Sequence, residues 1–321
     1  MRRYPKLGIR SKYELAKRIS DHTLPYRAAL GLINNVLANH DRYWYDSKRS
    51  EPGKEKFVRS AKGTPLGKLL KLIDKKVLAP NDNLVPGFIF GGISGKDHVQ
   101  AAQHLLGAKR QRVLLGLDIV HFFEQIHEQR VFYFFYKKCD CSKEASMLFA
   151  KLFCVPMGPK KLPLAEKTLA RGFATSTRLA LWCNLDTFLQ IDRVAQKRFR
   201  GHDLRMAVFV DDIGITASRI SYEDMKAFAP VIKDILENFD PNQSLPVHSE
   251  KTNIRTPLQG MEHLGVRLGR SKLTPGRKTR LRIDLLRRAL KEQLPREERK
   301  KLLKKKSSYY AYKHHLRNVK R

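Results

Sequence analysis

Between residues 13 and 40, apolar side chains fall at Leu15, Ile19, Leu24, Tyr26, Leu30, Leu32, Ile33 and Val36, at roughly helical spacing, which predicts one or two helices. The stretch DSKRSEPGKEKFVRSAKGTP that follows is polar and basic and predicts a loop or an exposed hairpin. Leu66, Leu69, Leu70 and Ile73 then mark a helix that ends before the turn residues of APNDN. From residue 84 the pattern changes: GFIFGGISG is extended and punctuated by glycine, DHVQAAQHLLGA is a helix, and KRQR is a basic tip. VLLGLDIV and, at 206–218, MAVFVDDIGITAS are continuous apolar runs, short and β-branched, of the kind that forms strands buried on both faces. Residues 128–155, 175–200 and 222–239 predict helices, so the two runs belong to an α+β arrangement with helical crossovers and helices on one side of a sheet. The segment 277–321 is helical in composition and ends on KKLLKKKSSYYAYKHHLRNVKR.

Charge narrows the function classes. Sixty-four Lys and Arg against 31 Asp and Glu leave +33 on 321 residues, and that much like charge calls for a polyanion to neutralise part of it. Nucleic acid is the expected partner. An anionic membrane is the alternative, but there is no apolar run near the ~18 residues of a span and no amphipathic anchor at the N-terminus. The length suits two or three subdomains that share a core. Cysteines at 139, 141, 154 and 183 do not form paired C-x-x-C units, so no zinc site is expected. The N-terminus is basic but lacks the apolar core of a signal peptide, which predicts a reduced, cytoplasmic protein.

Three carboxylates stand where burial is expected. Asp118 follows VLLGL and precedes IVHFF, and the Asp211-Asp212 doublet interrupts the second apolar run. An unpaired carboxylate in such a place costs several kcal/mol or loses its charge unless a cation compensates. Successive strand side chains face opposite ways, so a doublet in a tight turn between FV and IGIT would bring both acids toward one site. Two hard divalent ions, Mg²⁺ or alternatively Mn²⁺, suit an all-oxygen ligand set and catalyse phosphoryl transfer. A lone acidic doublet is more often a solvated turn.

The neighbouring residues add weight. Asp118-Ile-Val-His-Phe-Phe-Glu-Gln-Ile126 resembles the first catalytic motif of reverse transcriptases, in the form found in bacterial retron and group II intron relatives, and Phe209-Val-Asp-Asp212 resembles the second. The resemblance implies that Asp118, Asp211 and Asp212, with the Ile119 carbonyl, hold two metal ions, and that Phe123 is the aromatic gate that excludes a 2′-hydroxyl. Leu169-Ala-Arg-Gly-Phe-Ala-Thr-Ser176 resembles the template and nucleotide motif LPQGxxxS, with Gly172 and Ser176 retained, Arg171 in place of Gln and Ala170 in place of Pro. Lys251 of HSEKTNI resembles the lysine assigned as general acid toward pyrophosphate. His263-Leu-Gly-Val-Arg-Leu268 resembles the primer grip, with Leu264 and Gly265 at its tip, and Arg59 and Lys62 lie where triphosphate contacts are expected. Gln100-Ala-Ala-Gln-His104 resembles the retron NAxxH pattern with Gln for Asn, and His-Leu-Gly at 263–265 stands in place of VTG.

The implied architecture is a right-hand polymerase of the α+β class: fingers over 1–105, palm over 106–270 and a short basic helical thumb over 271–321. The implied activity is RNA-directed DNA polymerisation, with deoxynucleoside triphosphates as substrates, a noncoding RNA as template, an RNA/DNA duplex as product, and a retron or other antiphage defence system as the setting. An effector protein or a homo-oligomer is a further expected partner, and a membrane is not. Lys304, Lys305, Lys306, Tyr309, Tyr310 and Tyr312 are the expected RNA contacts of the tail, amines on phosphates and rings on bases. The rival readings are template-independent or protein-primed DNA synthesis on the same fold, suggested by Arg171, a catalytically silent RNA-binding scaffold, and a two-metal nuclease.

Overall fold

The computed structural model describes residues 3–109, 111–293 and 295–319. The chain opens with helices α1 (Lys12–Ile19) and α2 (Tyr26–Asn39), and Ser11 caps α1 by accepting a hydrogen bond from the Glu14 amide. The basic stretch forms a small antiparallel pair, β1 (Tyr45–Asp46) with β2 (Arg59–Ser60). Helix α3 (Pro65–Ile73) starts on a Thr64 cap with proline in its first turn and continues into a π-helical turn. Helix α4 (His98–Leu106) is held at its start by a capping box between Asp97 and Gln100.

Strand β3 (Arg112–Asp118) follows. Then come α5 (Glu128–Tyr133), α6 (Lys143–Phe153), the short antiparallel strands β4 (Cys154–Pro156) and β5 (Lys167–Leu169), and helices α7 (Ser176–Cys183) and α8 (Leu185–Arg198). The predicted helices at 128–155 and 175–200 are each divided, the second at Asn184, whose side chain turns back to the Ala180 carbonyl. Strands β6 (Arg205–Phe209) and β7 (Asp212–Ser218) make a hairpin, α9 (Tyr222–Asn238) packs against β3 and α8, and β8 (Asn253–Arg255), which α9 also contacts, completes the sheet. The order β6-β7-β3-β8 is antiparallel throughout. A second small sheet of β9 (Glu262–His263), β10 (Val266–Leu268) and β11 (Leu273–Pro275) leads to helices α10 (Arg277–Ala289) and α11 (Arg296–Asn318).

Helices cover both faces of the main sheet rather than one. Val113, Leu115 and Leu117 of β3 join the large core that runs from Leu7 to Val247, while Leu114 faces a second core with Leu105 of α4, Ala207, Val266 and Leu316. A strand with apolar side chains on both faces needs cover on both. The large core is continuous across residues expected to belong to separate fingers and palm. Among the described residues no helix is long and apolar enough to cross a membrane.

His263 lies in the second core with Nε2 unpartnered, against Gly214, where an added Cβ would sit 2.8 Å from that nitrogen. Burial depresses its pKa from 6.5 to about 4. The unfolded chain therefore takes up a proton at a pH where the folded chain does not. Stability contributed by neutral His263 is complete above pH 6.5 and is lost as pH falls toward 4. In thermal melts, His263→Leu is expected to flatten the fall in melting temperature between pH 6.5 and 4; a fall as steep as wild type would contradict this placement of the charge.

Candidate active site

Pairing of β3 with β7 puts Asp118 directly across from Asp212. The hairpin joining β6 to β7 closes with Phe209 opposite Asp212, so its two-residue turn is Val210-Asp211. Val210 has φ +61°, a conformation that is costly for a β-branched residue and that persists where surrounding structure enforces it. The enforcement is visible. Val208 donates to the Phe88 carbonyl at 2.8 Å, and Phe90 donates back to Val208 at 2.9 Å, so the glycine-rich segment lies along the edge strand. Gly91 then abuts the turn, and a Cβ there would come within 2.5 Å of the Val210 amide nitrogen.

Ile119 joins the carboxylate segments. Its amide donates to the Asp211 carbonyl at 2.9 Å, and its backbone pairs with Val247 on the other side. The Asp118 carbonyl in turn accepts from the His248 amide at 2.9 Å, which brings the HSEKTNI turn onto the site. Lys251 Nζ lies 2.7 Å from Asp118 Oδ1 and His248 Nε2 lies 3.5 Å from the same oxygen. Sequence reasoning misses His248; its only signal is the three-residue spacing from Lys251.

Burial raises the pKa of Asp211, and the charge of Asp118 adds to it, against the pull of Arg171 and Lys251. Asp212 is pushed up to about 7, first by burial and then by Asp211 and Asp118. The donors fit a hard divalent cation by type, by charge and by placement on adjacent backbone. As the side chains stand, no group of three or more His, Cys, Asp or Glu among the described residues is arranged to hold a metal ion, and the cation on Asp118 is the Lys251 ammonium.

The strand ends at Asp118, and Phe122 and Phe123 lie on a tight turn in which Gln125 donates to the His121 carbonyl at 3.0 Å. The two rings part company there. Phe122 is fully buried against Phe188, whereas Phe123 faces Arg171, whose guanidinium sits 5.1 Å from the ring centre. Arg171 is held by Glu124 in a two-pronged ion pair, Nε to Oε1 at 2.9 Å and Nη2 to Oε2 at 2.8 Å. Burial opposes the charge of Arg171, but Glu124, with Asp211 and Asp118, outweighs it and the pKa is raised. Glu124 is a second residue that sequence reasoning misses. Gly172 has φ +102° and lies against the Arg59 carbonyl, a place that leaves no room for a Cβ.

Other expected site residues are placed elsewhere. The Arg59 side chain is buried and directed to Asp46 and to the carbonyls of Pro156 and Gly158, so it does not open toward the carboxylates. Lys62 is exposed. Leu264 and Gly265, both at positive φ, form the turn of the β9–β10 hairpin, and the Gly265 carbonyl accepts from Gly276. On α11, Lys304, Lys305 and Tyr310 are exposed and Lys306 reaches toward the Tyr310 ring, whereas Tyr312 stacks on His98 at 5.9 Å. His315 Nε2 meets Asp97 at 2.8 Å and Leu316 is buried, so the end of α11 is docked on α4.

Compared with known proteins, the chain matches no family model and no curated sequence. The site geometry therefore carries the functional reading.

Asp212→Asn removes one of three mutually repelling charges without changing shape. At about pH 8, above the raised pKa, it is expected to melt at the same temperature as wild type or higher, by up to a few degrees. A lower melting temperature would mean that Asp212 is a structural ion partner.

Proposed function

We propose that this chain is an RNA-directed DNA polymerase of the reverse transcriptase kind, with a right-hand architecture in which the four-stranded sheet is the palm. The observation that carries the reading is the register of Asp118 against Asp212, with Asp211 in the adjoining turn and Lys251 on Asp118. Three carboxylates held together against their own repulsion are costly in a fold that has no use for them. The very basic exterior supplies the second support, because a polymerase must hold a nucleic-acid duplex.

In this reading Asp118, Asp211 and Asp212, with the Ile119 carbonyl, would hold two Mg²⁺ ions. When bound, such ions make a hydroxyl more acidic and neutralise charge on a transferring phosphoryl group. The protein's own residues do the rest. Lys251, whose exposed ammonium rests on Asp118, would supply the proton that departing pyrophosphate takes up. The bond formed joins the primer 3′-oxygen to the α-phosphorus, and the bond broken releases pyrophosphate. Phe123, on the turn after Asp118 and against Arg171, would lie under the incoming sugar, and the β9–β10 hairpin would position the primer end. The exposed amines of α11 contact phosphates of a noncoding RNA template or of its duplex with the product. Antiphage defence, in a retron or a related system, is the setting the motifs suggest.

Primer extension on an RNA template tests this directly. Asp118→Ala and Asp211→Ala are each expected to abolish incorporation with Mg²⁺ while RNA affinity stays near wild type, and retention of more than about 5% of activity would count against the two-metal mechanism. Phe123→Val is expected to gain ribonucleotide incorporation relative to deoxynucleotide in competition assays, whereas Phe122→Val should mainly reduce stability by about 1 to 3 kcal/mol through a core cavity.

A triple Lys304→Ala, Lys305→Ala, Lys306→Ala variant leaves the docked end of α11 intact. Its plot of log K against log salt for RNA should be shallower by roughly 0.7 to 0.9 for each phosphate that a lysine no longer neutralises. An unchanged slope would remove these lysines from the binding surface.

A further inference from the structure

The Glu124–Arg171 pair has a geometry that solvation alone does not require. Both side chains are mostly buried, at 16% and 15% exposure, and two parallel hydrogen bonds fix the guanidinium plane. The guanidinium carbon stands over the Phe123 ring, 5.1 Å from its centre. On the opposite side of the chain, the Arg171 carbonyl accepts from the Arg59 amide at 2.6 Å, and Arg59 is itself anchored through Asp46 and the carbonyls of Pro156 and Gly158. Phe123 also meets Phe122 edge to face at 5.8 Å, and Phe122 is locked in the core. The ring is therefore gripped on two sides, by a core aromatic and by a cation whose own position is fixed.

From this geometry we infer that Glu124 and Arg171 form a clamp that fixes the Phe123 ring and so sets how strictly the site discriminates the sugar of an incoming nucleoside triphosphate. The inference rests on the polymerase reading above and extends it to two residues that do not touch the reacting atoms. Arg171 is a positioning residue in this arrangement. Glu124 takes two of its five N–H donors, on Nε and Nη2, and its guanidinium carbon stands over the Phe123 ring, so its position is set by these two neighbours. A gate works by refusing to move, since a ring that can tilt by a fraction of its width makes room for one hydroxyl. Breaking either half of the clamp releases the same ring, which makes the two residues one functional unit.

The full-length protein, assayed by steady-state primer extension with matched deoxy- and ribonucleoside triphosphates, separates the alternatives. Glu124→Gln, Arg171→Gln and Arg171→Lys are each expected to reduce the ratio of kcat/KM for deoxy over ribo substrate by roughly tenfold, chiefly through a lower KM for the ribonucleotide. Combining Glu124→Gln with Arg171→Gln should reduce the ratio no further. Lysine keeps the charge at 171 but not the planar fork, so wild-type discrimination in Arg171→Lys would overturn the clamp. If Arg171 instead holds phosphate, Arg171→Gln will raise KM for both substrates alike and leave the ratio fixed, which also overturns it. Glu124→Gln keeps the size of the side chain, so it stays informative if the Arg171 variants melt early. Phe123→Val in the same assay keeps the two levels apart. A shift there with none in the clamp variants rejects the clamp alone; no shift in either rejects the gate. A wild-type protein that incorporates no nucleotide rejects the polymerase reading and the clamp with it.

Discussion

Register between β3 and β7 is the constraint from which the rest of the site follows. The two strands are in register over seven consecutive residue pairs, from Arg112 opposite Ser218 to Asp118 opposite Asp212. A slip of one residue would turn every side chain of the slipped strand to the opposite face and so into the wrong one of the two cores. The hydrophobic pattern of the sheet thus fixes where two carboxylates meet. The β6–β7 turn brings a third, and burial together with the field of the three raises the pKa of Asp211 and Asp212.

Everything around that junction serves either to hold it or to balance its charge. The segment before α4 lies along β6 and presses Gly91 against the strained Val210 turn. Residues 246–248 pair on the other side through Val120, Ile119 and Asp118, and so deliver His248 and Lys251 to the same carboxylate. Arg171 adds a cation within reach of Asp211 and Asp118 but is tied to Glu124. Backbone pairing thus holds the site from both sides, and Asp118 meets its cation, Lys251, at the surface.

The C-terminal helix shows how a basic segment can be both structural and exposed. Its end is committed to α4 through Tyr312 on His98, His315 on Asp97 and the buried Leu316. Lys304 and Lys305 remain in solvent. His98 also lies against Phe209, 6.4 Å between ring centres, so the docked helix and the acidic turn share a neighbour. Anchoring one end of a charged helix limits how far its free amines can wander.

The two apolar runs that became β3 and the β6–β7 hairpin, most helices and the three acids were legible in the sequence, because each is a local signal: apolar period, capping residues, or a charge in an apolar run; the short strands β4, β5 and β8 carry no such signal. Asp118, Asp211 and Asp212 stand out by the last of these, but the doublet expected to share a tight turn is split: the turn is Val210-Asp211, and Asp212 already belongs to β7, paired with Phe209 and Asp118. What the sequence could not determine is which distant side chains meet. Arg171 pairs with Glu124 across 47 positions, Arg59 turns inward to Asp46 and the carbonyls of Pro156 and Gly158, and Tyr312 leaves solvent for His98. A long cation satisfies its charge with whichever partner the fold brings within a few ångströms, and that choice depends on three-dimensional packing, not on spacing along the chain. The sequence by itself determined that acids would have to be stabilised at the end of a buried sheet; only the tertiary structure decided which cations stabilise them and which are held elsewhere.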